Sequence, residues 1–166
     1  MDQSGFDAFV AAEQQRLARL AYLLTGSQTG AEDVLQSALV IVFERWTRVQ
    51  AMDSPGGYAT RVLVNEARAR WRRDRREREA QRRAVTVLVD DDPTPGWDAR
   101  SDLVAAVARL PRRQRAVVVL RYFADLSEAD TASALGCRVG TVKSQASKAL
   151  TTLRSHLATD DRLEAR

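Results

Sequence analysis

Residues 126–157 read LSEADTASALGCRVGTVKSQASKALTTLRSHL, a stretch that breaks at Gly136 into two helical patterns. Ser127 stands where a helix needs an N-cap, with Asp130 three residues on, a capping-box-like pair. Gly136 can take the positive φ that a sharp turn requires. Ala132 is small enough to let a second helix cross closely, and Val142 points back into the angle between the two. The second helix carries Val142, Ala146, Ala149, Leu150, Leu153 and Leu157 at three- and four-residue spacing, which makes one apolar face. Its other face shows Thr141, Lys143, Ser144, Gln145 and Lys148. Together these features predict a helix-turn-helix whose second helix suits phosphate oxygens and base edges in a major groove. A solvated amphipathic helix in an ordinary bundle is the alternative that this segment alone leaves open.

Immediately upstream, PRRQRAVVVLRYF (111–123) reads as a helix with Pro111 at its first position and with Val117, Val118, Leu120 and Tyr122 mostly buried. A short helix over 101–110 uses Leu103, Val104, Val107 and Leu110. Residues 101–158 therefore form a four-helix domain, and 159–166 a C-terminal tail. Before it, 80–100 reads as a flexible linker: Asp90, Asp91 and Asp92 are followed by Pro93, Pro95 and Gly96. VTVLV at 85–89 is the one β-like run, and a single strand cannot stand alone.

Residues 1–79 read as a second small helical domain. Phe6, Phe9, Val10, Leu17, Leu20, Ala21 and Leu24 share one face of a helix over 4–25, which Gly26 ends. Thr29 and Glu32 form a capping box for the next helix. Its buried stripe is Val34, Ala38, Val42, Trp46 and Val49, with Glu32, Asp33 and Gln36 turned elsewhere. Residues 1–50 hold six acids and four arginines, so this half is net negative and can dock on a basic protein surface or simply be solvated. Ser54 then caps a third helix at Pro55. It carries Tyr58, Val62 and Asn65 and then ARARWRRDRRERE, an aromatic-plus-basic strip of the kind that suits single-stranded nucleic acid. Trp71 itself is read as closing the three-helix core. The fold class is all-α: two small helical domains joined by a linker.

The whole composition points the same way. The chain of 166 residues carries 26 Lys and Arg against 22 Asp and Glu, net charge +4 and a pI near 9.8, which favours a polyanion partner. Domains of about 80 residues bury only roughly 60% of their unfolded surface, so each is marginal alone and suits work on a larger partner. Cys137 and His156 are the only residues of their kinds. No internal disulfide is possible, and the two cannot make a Cys/His zinc site or a Cys–His pair of the usual kind unless they meet. Asp90–Asp92 is the one dense acid cluster, in surroundings that suggest a linker rather than a metal centre. No catalytic residue, metal or cofactor is expected. There is no apolar run long enough to span a membrane and no signal-peptide pattern at Met1–Val10, so a cytoplasmic protein is expected.

Three blocks in this order resemble bacterial RNA polymerase sigma factors of the sigma-70 superfamily, in the extracytoplasmic-function group and its sigma-E-like family. AYLLTGSQTGAEDVLQSALVIVFERW is similar to the first part of sigma region 2. GGYATRVLVNEARARWRR is similar to its promoter-opening part, and LPRRQRAVVVLRYFADLSEADTASALGCRVGTVKSQASKAL to region 4. The short spacing leaves no room for region 3, a mark of this group. The resemblance implies a promoter-specificity subunit rather than an enzyme, with core RNA polymerase (β′ clamp helices, β flap) and promoter DNA as partners. Sigma factors of this type are often held inactive by an anti-sigma factor, so one is a further candidate partner.

It also implies that Glu32, Asp33, Val34 and Gln36 dock on the β′ clamp helices. Tyr58 and Asn65 face melted −10 DNA, and Arg61 and Arg68 hold its backbone. Thr141, Lys143, Ser144, Gln145 and Lys148 read or grip the −35 element, and the linker threads the polymerase channel. Three positions depart from the family pattern: Arg138 replaces a capping Ser, Thr131 a branched apolar residue, and Gln145 a common Arg. The last change suits adenine better than guanine. The rival reading is a stand-alone helix-turn-helix regulator, which needs neither the acidic second helix nor the Tyr58–Trp71 strip.

Overall fold

The structure, a computed structural model, describes residues 3–84 and 102–164, with the side chains of 3–80 and 103–156. These residues form eight α-helices: α1 (Gln3–Thr25), α2 (Gln28–Glu44), α3 (Trp46–Val49), α4 (Pro55–Ala84), α5 (Asp102–Ala108), α6 (Arg112–Val118), α7 (Glu128–Leu135) and α8 (Val139–Glu164). A π-helical turn, Val119–Phe123, follows α6 without a break. The linker residues 85–101 lie outside the described residues, and with them Asp90–Asp92 and the VTVLV run.

In the N-terminal half, α1, α2 and α4 pack against one another. Leu17, Leu24, Val42, Leu63 and Val64 meet at the centre, all at 2% exposure or less. Phe6, Phe9, Phe43 and Trp46 close one end, with ring centroids 4.9–6.2 Å apart. Trp71 is half-buried against the same core. In the C-terminal half, α5, α6 and α7 all pack on α8. The two halves are not separate: α1 packs on α5, α6 and the π-helical turn, so Leu17 and Leu24 belong to one continuous apolar cluster with Val107, Leu110, Leu120 and Leu153. Sharing a core answers the marginal size of each half.

Several boundaries differ from the sequence reading. Ser27, not Thr29, caps α2: its backbone is extended (φ −144°, ψ 150°) and its hydroxyl accepts from the Gly30 N–H at 3.1 Å. The helix expected to run through Val49 breaks at Arg45, which leaves α-helical geometry (φ −110°, ψ 12°) and puts Trp46 and Val49 on α3. Pro111 is the cap of α6 rather than its first residue, with ψ at 140°. Tyr122 is 54% exposed instead of buried: an α-helix would set it over the buried Val118 four residues back, and the wider π-helical turn moves it off that face. Helix α4 continues to Ala84 and α8 to Glu164, into stretches read as linker and tail.

Gly26 sits at the seam between the halves. It ends α1 at φ +78°, and a Cβ there would lie 2.7 Å from Nη1 of Arg115. Arg115 reaches in from α6 and donates to the carbonyls of Ala108 and Leu110. Burial, and then the charge of Arg112, push its pKa below the ordinary arginine value. Gly26→Ala is therefore expected to destabilise the protein by about 1–3 kcal/mol, through left-handed backbone strain and displacement of Arg115. Chemical denaturation measures this, and an unchanged midpoint would contradict the packing described.

Candidate nucleic-acid interface

Helix α4 presents Tyr58, Arg61, Asn65 and Arg68 at three- and four-residue spacing, so all four share one face. The Ser54 hydroxyl accepts from the Gly57 N–H at 3.1 Å and fixes the start of the helix. Tyr58 is half-buried and its hydroxyl accepts from Arg45 at 3.0 Å, a bond that raises the Arg45 pKa. Asn65 is exposed between the two arginines.

The helix-turn-helix forms as its sequence predicts. Ser127 caps α7, accepting from the Asp130 N–H at 3.0 Å. Gly136 takes φ +61°, and the Cys137 N–H reaches back to the Ala132 carbonyl at 3.0 Å, the double closure of a left-handed helix end. Val142 is fully buried against Val117 and Ala132. Thr131 is buried with its hydroxyl unpartnered, a cost that the branched apolar residue usual in the family would not carry. Thr141, Lys143, Ser144 and Lys148 are exposed on α8, and Gln145 is half-buried. Ser144 donates to the Thr141 carbonyl at 3.0 Å, and Lys143 lies 3.6 Å from Glu128.

The candidate DNA face of α4 meets the helix-turn-helix through its first helix. Helix α7 lies on α4. Asp130 in its first turn is 3.7 Å from Arg61, and Arg68 donates to the Ala134 carbonyl near its last turn at 3.1 Å. That carbonyl end is the negative pole of the helix, which favours a guanidinium. Both ion-pair partners are exposed, so the Arg61 contact is worth little. The space between the halves is a cleft of about 830 Å³ into which Thr141 and Gln145 also open. Its basic walls include Arg112 and Arg113 of α6, which the sequence does not flag, since nothing local brings them opposite α4.

On the acidic side, Glu32, Asp33 and Gln36 are exposed on α2. Val34 is only 2% exposed, so it anchors the helix from below and does not present its side chain beside them. Asp33 is not a bare charge: Arg70 of α4 pairs with it at 2.7 Å. Among the described residues, no group of three or more His, Cys, Asp or Glu side chains is placed to hold a metal ion.

Family comparison accounts for both halves. The sigma-70 region 2 model matches residues 9–77, and the sigma-70 region 4 model matches residues 100–153. The RNA polymerase sigma-E factor of Streptomyces coelicolor is 35% identical over 161 residues, covering 97% of this chain and 90% of that one. The ECF RNA polymerase sigma factor SigE of Mycolicibacterium smegmatis is 35% identical over 162 residues, covering 92% of this chain and 62% of that protein. The chain belongs to the extracytoplasmic-function sigma factors. Its fold is shared with the sigma factor RpoE of Bartonella quintana, solved in complex with the anti-sigma factor NepR. The TM-score is 0.72 at 24% identity, covering 94% of this chain and 98% of that one.

This sigma factor directs transcription initiation by RNA polymerase and binds DNA through the region 4 helix-turn-helix. It is an initiation factor, not an enzyme, and the bond-making chemistry belongs to the core polymerase. The region 2 match removes the rival reading of a stand-alone regulator, for which residues 9–77 would have no counterpart.

Proposed function

We propose a division of labour in which residues 1–79 bind the core enzyme and capture unpaired −10 bases, while residues 101–158 grip the duplex −35 element. Asn65 and Tyr58 take the unpaired bases, and Arg61 and Arg68 hold the strand backbone. Thr141, Lys143, Ser144, Gln145 and Lys148 enter the major groove, where the Gln145 amide suits adenine. Glu32, Asp33 and Gln36, carried on the helix that Val34 anchors, dock on the β′ clamp helices, and region 4 meets the β flap. The residues of 80–100 join the two units within the polymerase channel. An anti-sigma factor is a further partner, as it is for the Bartonella quintana relative. The site of action is the cytoplasm, where sigma factors work; no helix among the described residues is long and apolar enough to cross a membrane.

The observation that carries this reading is that α4 holds Tyr58, Arg61, Asn65 and Arg68 on one face, and that this face lies against α7. Full engagement of the −10 strand by Arg61 and Arg68 requires α7 to leave α4, whereas Thr141, Lys143, Ser144 and Lys148 stay exposed on α8. Core polymerase supplies the differential binding energy for that opening, because it engages each half at a different place. The free chain is then a weak promoter binder. In vitro transcription tests the proposal: core polymerase with this chain is expected to start transcripts at promoters that core alone ignores. If adding the chain creates no new start sites, the proposal fails.

A further inference from the structure

The cleft between the halves is more than a gap left by packing. Six arginines reach it: Arg68, Arg72, Arg75 and Arg78 from α4, and Arg112 and Arg113 from α6. Glu79 is the one carboxylate in its lining. Three of the arginines have partners. Arg75 pairs with Glu79 at 2.8 Å, Arg112 with Asp74 at 3.0 Å, and Arg68 donates to the Ala134 carbonyl. Arg72, Arg78 and Arg113 are exposed and make no ion pair among the described residues. Like charges gathered around one space repel, and an anion placed there relieves that cost.

Apart from Thr141 and Gln145, the rest of the lining is apolar. The half-buried indole of Trp71, with Val117, Leu135 and Cys137, makes an unsaturated and aliphatic wall beside the guanidinium groups. At about 830 Å³ the cleft falls within the roughly 300–1,000 Å³ range of small-molecule sites. Guanidinium forks bind phosphate oxygens two at a time, and an aromatic side chain offers a stacking surface to a flat base. A ligand with only phosphates leaves the apolar wall uncovered, and an apolar ligand leaves three arginines unpaired.

We propose that this cleft binds a nucleoside polyphosphate, with its phosphates between Arg78 of α4 and Arg113 of α6 and its base against Trp71. Such a ligand touches both halves at once. It covers Thr141 and Gln145, which open into the same space, and it holds α7 over Arg61 and Arg68. Such a ligand therefore favours the closed arrangement, a consequence that rests on the proposal that α7 must leave α4 for the −10 strand.

The test is calorimetric titration of the full chain at one fixed salt concentration, with GTP and, as a ring-free probe, inorganic tripolyphosphate. GTP is expected to bind tighter than tripolyphosphate by roughly tenfold, with Arg78→Ala and Arg113→Ala each weakening GTP roughly tenfold, the loss of one charged hydrogen bond. Circular dichroism checks that both variants fold. Trp71→Phe is expected to retain GTP binding, whereas Trp71→Ala, if folded, brings GTP down to the affinity of tripolyphosphate. No binding of either probe, equal affinity for the two, or GTP affinity unmoved by both arginine substitutions overturns the proposal. None of these results bears on whether the chain starts transcripts with core polymerase, so the two readings fail separately.

Discussion

Asn65→Asp is expected to cut promoter-directed transcription roughly ten- to a hundredfold while core binding stays as it was. The range follows from the roughly 1–3 kcal/mol carried by a specific amide-to-base contact, at about 1.4 kcal/mol per tenfold. Asn65 is exposed, so the substitution leaves the core of region 2 untouched. Its surroundings make the change severe. The amide's two N–H donors are lost, and a carboxylate appears between Arg61 and Arg68, where strand phosphates are proposed to lie. The loss belongs to strand opening, so a promoter template already unpaired across the −10 element should recover part of the activity. Run-off transcription with reconstituted holoenzyme reads the first effect, and permanganate reactivity of unpaired thymines reads the second. Full activity on a closed template would remove Asn65 from the site.

The second large effect is expected at Lys148. Its side chain is exposed on α8 and has no ion-pair partner among the described residues. Its whole charge is therefore available to a DNA phosphate. Lys148→Ala should lower the slope of log affinity against log salt by about one and weaken holoenzyme binding to many promoters alike. Lys143 provides an internal comparison. It lies 3.6 Å from Glu128, with both side chains well exposed, so part of its charge is already screened and Lys143→Ala should change less. Titration of holoenzyme–promoter affinity between about 50 and 200 mM salt measures both. An unaltered slope for Lys148→Ala would mean that its ammonium touches no phosphate.

The closed arrangement sets the energetic background for these experiments. The contacts of Arg61 and Arg68 to α7 are one long exposed ion pair and one hydrogen bond to a carbonyl, which promoter phosphates can replace. The apolar seam is a different matter. Leu17 and Leu24 share a cluster with Leu110 and Leu120, and separating them exposes surface at a cost of about 25 cal/mol for each Å². Opening is thus governed more by the seam than by the arginines.

Local signals in the sequence were sufficient wherever one residue and its near neighbours settle the outcome. Ser127 caps α7, Gly136 turns left-handed, and Val142 fills the angle of the helix-turn-helix, because capping, positive φ and helical periodicity are short-range physics. The same holds for Ser54 at the start of α4 and for the exposure of Thr141, Lys143, Ser144 and Lys148. Local rules erred where two were in competition. Ser27 displaced Thr29 because Gly26 had already ended α1, and the π-helical turn carried Tyr122 out to solvent.

What pattern reading along the chain could not reach was everything decided across long separations. Arg61 meets Asp130, Asp74 meets Arg112, and Gly26 makes room for Arg115. None of these pairs leaves a trace in spacing or composition, since each depends on the angle at which two helices cross. The chain alone determined which helices form, which faces are apolar, and that region 2 and region 4 are both present. Only the packed structure decided that the two halves share a core, that Arg61 and Arg68 reach α7, and that six guanidinium groups surround one cleft. Hydrophobic burial is non-directional and takes whichever docking removes the most apolar surface from water, so the polar partners across the seam are set by that docking and not by their own sequence context.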